Sequence, residues 1–250
     1  KITHIRTVRL TKPLEKPQRN AQGGRSERAF TFVLVYTDAG FTGIGEAFGD
    51  DALMEHIVAK RIGPMAVNED PLDIDTLWSR LFASRAFWEI GGSVLCAVSA
   101  IEVACWDIRG QAEGVPVHAL LGGKHRNTVE AYASDLHWED ATAMAEQAAA
   151  YVADGFRYVK THVGALGEEE RDIERIAAVR EAIGPDIGFM VDINTAFSRA
   201  RAHEFGLAIT EFAPFWYEEP LSPLDHAGHR ALRDALPFAI ATGENLTSVI

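Results

Sequence analysis

The amino-acid sequence predicts an α/β protein in two parts: an antiparallel meander with helices, then a series of parallel strand–helix units. Three observations carry that expectation. The first 48 residues hold β-rich runs separated by turn signals. A long apolar helix follows, stopping at Gly114 with Pro116 just beyond. From Val129 onward, short apolar runs alternate with amphipathic stretches, the rhythm of βαβ units.

The elements follow in order. Residues 2–10 alternate as a strand, 30–36 form a second β-rich run, Asp38-Ala39-Gly40 is a turn, and 41–48 make a third strand. The polar segment 14–28, with Gly23-Gly24 and several charges, reads as a long mobile loop, and such loops often serve as lids. Helical patterns cover 52–62, 72–82 and 93–113. In the second part, strands are expected at 129–133, 158–163, 188–193, 215–218 and 238–241, with helices at 141–154, 168–183, 199–212 and 225–235. Five strands suffice for a doubly wound sheet, whereas a (β/α)₈ barrel needs eight.

Composition narrows the function. With 250 residues, 47% of them hydrophobic, the chain can bury a large core in one or two domains. Acidic residues outnumber basic ones by 36 to 24, a net charge of −12 that argues against nucleic-acid binding through a basic face. No apolar run approaches the roughly 20 residues that span a membrane, and the first residues carry no signal-peptide pattern. Cys96 and Cys105 lie nine positions apart (105 − 96 = 9) in one helical stretch. That is about 13 Å along a helix, too far for a disulfide. Reduced thiols favour the cytoplasm. The chain starts at Lys1 rather than Met and is expected to be part of a longer one.

Three acids stand at the ends of successive strands: Asp192, Glu218 and Glu244. Their spacing is equal (218 − 192 = 26; 244 − 218 = 26), one βα unit per acid, which brings all three to the C-terminal rim where sites form on parallel sheets. Any one alone is a solvated strand-end acid or helix cap. Three converging carboxylates repel unless a cation neutralises them, and Mg²⁺ suits an all-oxygen set that keeps positions open. An EF-hand fails, because Ala196 and Phe197 replace the later ligand and glycine positions. Glu219 turns to the opposite face from Glu218 and is expected to support the site or the structure.

Lys160 and His162 are two apart on the second of these strands and share a face. His162 suits a general base, with a neighbouring cation lowering its pKa, and Lys160 suits holding a substrate carboxylate. A solvated lysine beside a surface or core histidine is the plainer alternative. Asn194 shares the face of Asp192 and either contacts substrate or simply makes a turn. Other motifs do not hold. Gly43-Ile44-Gly45-Glu46-Ala47-Phe48-Gly49 has its third glycine one place late for a dinucleotide loop. Leu121-Gly122-Gly123-Lys124 lacks the phosphate-loop spacing, His118 and His125 read as loop or core, and the five tryptophans read as core.

The strand-end acids in Val191-Asp192, Glu218-Glu219-Pro220 and Gly243-Glu244-Asn245 resemble the metal site of the enolase superfamily, mandelate racemase and muconate lactonizing enzyme-like branch. The run 100–107, Pro116-Val117, Leu120-Leu121-Gly122-Gly123 and the meander 40–46 are similar to the same family, so the resemblance covers essentially the whole chain. It implies an α+β capping domain over residues 1–125 and the first part of a modified (β/α) TIM-type barrel over 126–250, five strands of it. It implies Mg²⁺ held by Asp192, Glu218 and Glu244, a lid at 14–28, a homo-oligomer, and removal of the proton α to a carboxylate through a metal-stabilised enediolate. The substrate class is a small-molecule carboxylate, an acid sugar or α-hydroxy acid. The family pattern on the second barrel strand is usually Lys-x-Lys. Here it is Lys160-x-His162, which assigns His162 the base role and Lys160 the supporting and substrate-binding role. The family barrel also continues three strands further, usually with a His–Asp pair, so the chain is expected to be a fragment. A Mg²⁺-dependent hydro-lyase acting on an acid sugar is the leading expectation. A racemase or epimerase is the close alternative, cycloisomerisation is disfavoured because it goes with Lys-x-Lys, and a non-catalytic metal-binding relative is the competitor from another class.

Overall fold

In the computed structural model, which describes residues 1–83, 91–164 and 167–247, the chain divides into two compact units. One comprises Lys1–Pro13, Glu27–Thr128 and Thr247–Ile250, and the other Leu14–Ser26 with Val129–Leu246.

The first unit holds the larger part of a three-stranded sheet, β1 (Ile2–Asn20), β2 (Gly23–Thr37) and β3 (Thr42–Ala47), in that order, with the arms Leu14–Ser26 counted in the second unit. β2 and β3 pair antiparallel from Thr31 opposite Ala47 to Tyr36 opposite Thr42, closed by the expected turn with Gly40 at φ 84°. Helices α1 (Asp51–Ile57) and α2 (Gly63–Ala66) flank a π-helical turn, Val58–Ile62, and α3 (Ile74–Ala83) precedes the long α4 (Gly92–Glu113). Gly114 ends α4 in the left-handed conformation at φ 68°, a normal glycine C-cap, and a short α5 (Val117–Leu120) follows. The core gathers Val33, Val35 and Ala47 from the sheet with Ala97, Ala100, Ile101 and Ala104 from α4. β3 lies almost against the α4 backbone. A Cβ on Gly43 would stand 2.0 Å from the Ala104 carbonyl oxygen, and one on Gly45 1.9 Å from that of Ala100. These two glycines are packing residues, which accounts for the glycine spacing of the meander without any phosphate loop.

The segment 14–28 is not a loop. Leu14–Asn20 continues β1, 23–28 begin β2, and the chain reverses at Ala21 and Gln22. Most side chains in these arms are exposed and nearly all are polar, so neither face shows the apolar alternation that marks a strand in sequence. Pro13 and Pro17 are tolerated because β1 is an edge strand.

The second unit carries a five-stranded sheet, β4 (Ala133–Leu136), β5 (Tyr158–His162), β6 (Gly188–Asp192), β7 (Trp216–Glu218) and β8 (Ala239–Ala241). All neighbours pair in parallel and follow one another in sequence order. Helices α6 (Ala141–Ala153), α7 (Glu169–Ile183), α8 (Arg199–Ala208) and α9 (His226–Ala235) connect them, and a 3₁₀ turn, Ile209–Phe212, extends α8. A doubly wound sheet reverses its strand order at a switch point. This sheet has none, so its progression is that of a barrel wall, unclosed over five strands. Val159, Phe189, Val191 and Tyr217 join the helices in the core. Strand alternation then turns Lys160, His162, Met190, Asp192, Trp216 and Glu218 to the other face. Register sets His162 opposite Asp192, and Asp192 opposite Glu218.

Gly45→Ala tests the close approach of β3 to α4. Overpacking of this kind costs about 1–3 kcal/mol, so the variant should melt several degrees lower in calorimetry, whereas Gly24→Ala, whose added Cβ would meet only ordinary contacts at 3.5 Å or more, should lose less.

Candidate active site

Five of the six expected site residues come together at the C-terminal ends of β5, β6 and β7. Lys160 Nζ donates to Glu218 Oε1 at 2.6 Å and lies 3.2 Å from Asp192 Oδ2. It also stands 5.7 Å from the ring centre of Tyr132, within cation–π range. Burial opposes the charge on Lys160, but the hydrogen bond to Glu218 and the charges of Asp192 and Glu218 outweigh it and raise the pKa. Lys160 is therefore a buried, fixed ammonium. Glu218 is held from its other side by Trp216, whose indole N–H donates to Oε2 at 2.8 Å.

Asp192 is 1% exposed. Burial alone would push its carboxyl up, but contact with His162 and the charges of Lys160 and His162 bring it below the usual range. The backbone N–H of Asn194 donates to Oδ1 at 2.9 Å. Asn194 itself is buried at φ 49°, and its side-chain oxygen has no hydrogen-bond partner among the described residues.

His162 lies between two acceptors. Nδ1 is 3.3 Å from Asp192 Oδ2, and Nε2 is 3.2 Å from the Ser134 carbonyl oxygen. The expectation that a neighbouring cation lowers its pKa is corrected here. Burial and the charge of Lys160 do push it down, but Asp192 and the Ser134 carbonyl together outweigh them and raise it. The carboxylate touches the ring directly, and Lys160 is the smallest of the contributions.

Glu244 sits in the turn after β8 and is exposed. Its carboxyl is pushed up by partial burial and then by the like charges of Asp192, Glu218 and Glu219, so it shares their field. Among the described residues, no three His, Cys, Asp or Glu side chains are drawn together tightly enough to hold a metal ion. The Lys160 ammonium instead bridges Asp192 and Glu218, and Glu244 stands apart. The donor set nonetheless fits a hard divalent cation. It is all carboxylate oxygen, Asp192 Oδ2 is buried without an aligned hydrogen bond, and the like charges acting on Glu244 outweigh the pull of Lys160.

Three contacts were not legible beforehand. The His137 ring stacks on His162 with centroids 4.8 Å apart and planes at 9°. Trp216 grips Glu218, a pairing that their two-residue spacing on one face would have signalled. Trp138 donates its indole N–H to the buried Asp172 at 3.0 Å. So two of the tryptophans read as core serve this rim; Trp88 lies outside the described residues. Glu219 was expected to support the site or the structure. It is fully buried at φ 42°, and its Oε1 accepts from Thr242 Oγ1 at 2.8 Å and the Gly243 N–H at 2.7 Å, directly before Glu244. The free thiols match their expected state: Cys105 is buried, its pKa pushed up to about 12 by burial, and Cys96 is half-buried. No helix among the described residues is long and apolar enough to cross a membrane.

Comparison with known proteins agrees with this geometry. Residues 2–122 match the mandelate racemase/muconate lactonizing enzyme N-terminal domain, and 143–250 match the enolase C-terminal domain-like family. D-galactarolactone cycloisomerase of Agrobacterium fabrum is 34% identical over 98% of this chain and 65% of its own length. L-talarate/galactarate dehydratase of Salmonella typhimurium is 34% identical over 89% of this chain and 56% of its own. A racemase from Streptomyces coelicolor A3(2), solved with bound magnesium, superposes with a TM-score of 0.91 at 27% identity, covering 98% of this chain and 70% of that one. The chain thus spans less than two thirds of the two curated relatives. It belongs to the mandelate racemase/muconate lactonizing enzyme family of the enolase superfamily.

Glu219→Gln should weaken Mg²⁺ binding, because the carboxylate that fixes the Thr242–Gly243 turn also sets where Glu244 points. Loss of such a supporting group typically costs about 10- to 100-fold in metal affinity; titration calorimetry with Mg²⁺ measures it, and an unchanged isotherm removes Glu219 from the site.

Proposed function

We propose that this member of the enolase superfamily removes the proton α to the carboxylate of a sugar acid and expels the β-hydroxyl as water, a Mg²⁺-dependent dehydration. The observation that carries the reading is the placement of Lys160 and His162 on one strand face against Asp192 and Glu218, at 2.6–3.3 Å.

Asp192, Glu218 and Glu244 would hold the ion. Bound Mg²⁺ supplies positive charge to stabilise the negative charge that grows on the substrate carboxylate as the α-proton leaves. Lys160 keeps its proton and so acts as a fixed charge that orients the carboxylate rather than as a base. That leaves His162 to accept the proton. In the observed arrangement both of its ring nitrogens face acceptors, so His162 must turn an unprotonated nitrogen away from its acceptor and toward the substrate before it can act. The electron pair of the broken C–H bond moves into the carboxylate as an enediolate. Collapse of the enediolate expels the β-hydroxyl, which leaves as water by taking the proton that His162 has accepted, returning the imidazole to its neutral state. Asn194 offers its amide oxygen to a substrate hydroxyl.

Cycloisomerisation returns as a second reading, because a cycloisomerase stands at 34% identity over nearly the whole chain despite the Lys-x-His pattern. Racemisation shares the same first step. The three fates divide after proton removal, by what a second acid–base group does.

The test is α-proton exchange in D₂O with Mg²⁺ and a library of acid sugars and α-hydroxy acids. Deuterium should enter the α-carbon, the rate should rise as pH climbs through the pKa of His162, and His162→Asn should reduce kcat about 10²- to 10⁴-fold. Loss of water marks dehydration, unchanged mass with inverted configuration marks racemisation, and a new ring marks cycloisomerisation. A His162→Asn variant that exchanges as fast as the parent contradicts the base assignment, and Mg²⁺ binding without exchange of any acid favours a non-catalytic relative.

A further inference from the structure

The first turn of α7 carries a carboxylate that the proposed chemistry does not use. Asp172 is fully buried, and three donors meet it. The Gly164 N–H donates to Oδ2 at 2.8 Å, while the Trp138 indole N–H and Arg175 Nη1 donate to Oδ1 at 3.0 and 2.8 Å. We infer that Asp172 is a positioning residue: it fastens the ends of β4 and β5 to α7 and so sets how His137 stacks on His162. The inference rests on the proposed role of His162 as base and adds what holds that base in place.

Each histidine is followed by chain that this cluster holds. After His162, the Val163 N–H donates to the Asp192 carbonyl at 3.0 Å, and the next N–H, that of Gly164, donates to Asp172. Gly164 turns at φ 106°, where an added Cβ would stand 2.9 Å from Ile193 Cγ2, so the chain leaves β5 pressed against the end of β6. After His137, Trp138 is tied twice, by its indole to Asp172 and by its backbone N–H to the Arg19 carbonyl at 3.1 Å. Arg175 Nε then donates to the Glu139 carbonyl at 2.7 Å, with its guanidinium carbon 4.8 Å from the Trp138 ring centre.

Packing alone does not call for a carboxylate here. Burial pushes the Asp172 carboxyl up in spite of its donors, and well-packed apolar side chains often replace buried ion pairs without loss of stability. What an apolar residue cannot supply is directed bonds to two strand ends at once. Those ends carry the two imidazoles, whose planes lie 9° apart with centroids at 4.8 Å. A ring covered on one face by another has little room to tilt. Proton transfer depends steeply on such orientation, on the order of 10²-fold for a misplacement of about 1 Å.

The experiment uses the full chain with Mg²⁺ and two variants. Asp172→Asn removes the charge, and Trp138→Phe keeps an aromatic ring while removing the N–H that reaches Asp172. α-Proton exchange of a sugar acid gives kcat and KM, and calorimetry gives the Mg²⁺ affinity. The imidazole C–H resonances of His137 and His162, read by NMR, report the stack through ring currents without any turnover. Asp172→Asn should lower kcat on the order of 10²-fold and Trp138→Phe about 10-fold, with KM and Mg²⁺ affinity little changed and both imidazoles shifted. In a His162→Asn background the same substitutions should cost about 2-fold or less, because the group they position is gone. Equal losses in both backgrounds mark a general structural role, and unshifted imidazoles with an unchanged kcat remove Asp172 from the site; either overturns the inference. If Asp172→Asn does not fold, Trp138→Phe decides alone. If the parent exchanges no acid, the base reading fails, and the imidazole shifts decide by themselves whether Asp172 sets the stack.

Discussion

The structure around the site depends on one charge balance: the Lys160 ammonium set between the carboxylates of Asp192 and Glu218. Burying two carboxylates at the ends of adjacent strands is expensive unless each finds a cation or donors. Here the lysine touches both, Trp216 takes the second oxygen of Glu218, and the Asn194 N–H takes the first of Asp192. The strands are paired so that these groups meet. His162 stands opposite Asp192, which stands opposite Glu218, a row across the sheet. The same parallel register turns the apolar partners Val159, Phe189, Val191 and Tyr217 to the helices, so the packing that stabilises the wall also points the polar row inward.

The balance is provisional in one respect. Glu244 feels the like charge of its neighbours more strongly than the charge of Lys160, and Asp192 Oδ2 lies 3.2 Å from Lys160 Nζ and 3.3 Å from His162 Nδ1 without an aligned hydrogen bond. Asp192, Glu218 and Glu244 would hold a divalent ion, whose positive charge would relieve this repulsion and leave the Lys160 ammonium for a substrate carboxylate.

Much of this was legible in the sequence because it is periodic. Equal 26-residue spacing marked the acids, two-residue spacing put Lys160 with His162, and Gly114 with Pro116 marked the end of α4. What escaped was non-periodic or long-range. The hairpin arms 14–28 are polar on both faces apart from Leu14, so nothing in their pattern distinguished strand from loop. The glycines of β3 looked like a loop motif because the α4 backbone they accommodate is some 60 positions away, with Ala104 meeting Gly43 (104 − 43 = 61). The sign of the His162 pKa shift turned on the competition between Asp192 and Lys160, which needs distances. His137 carried no signal, since its partner lies on another strand end.

The most direct measurement of the central claim is a crystal structure of the chain with Mg²⁺ bound. The account predicts oxygen atoms of Asp192, Glu218 and Glu244 around the ion at about 2.0–2.1 Å, with Lys160 Nζ drawn away from Glu218. An ion bound elsewhere, or a Lys160 that still bridges Asp192 and Glu218 with Glu244 turned to solvent, would contradict it.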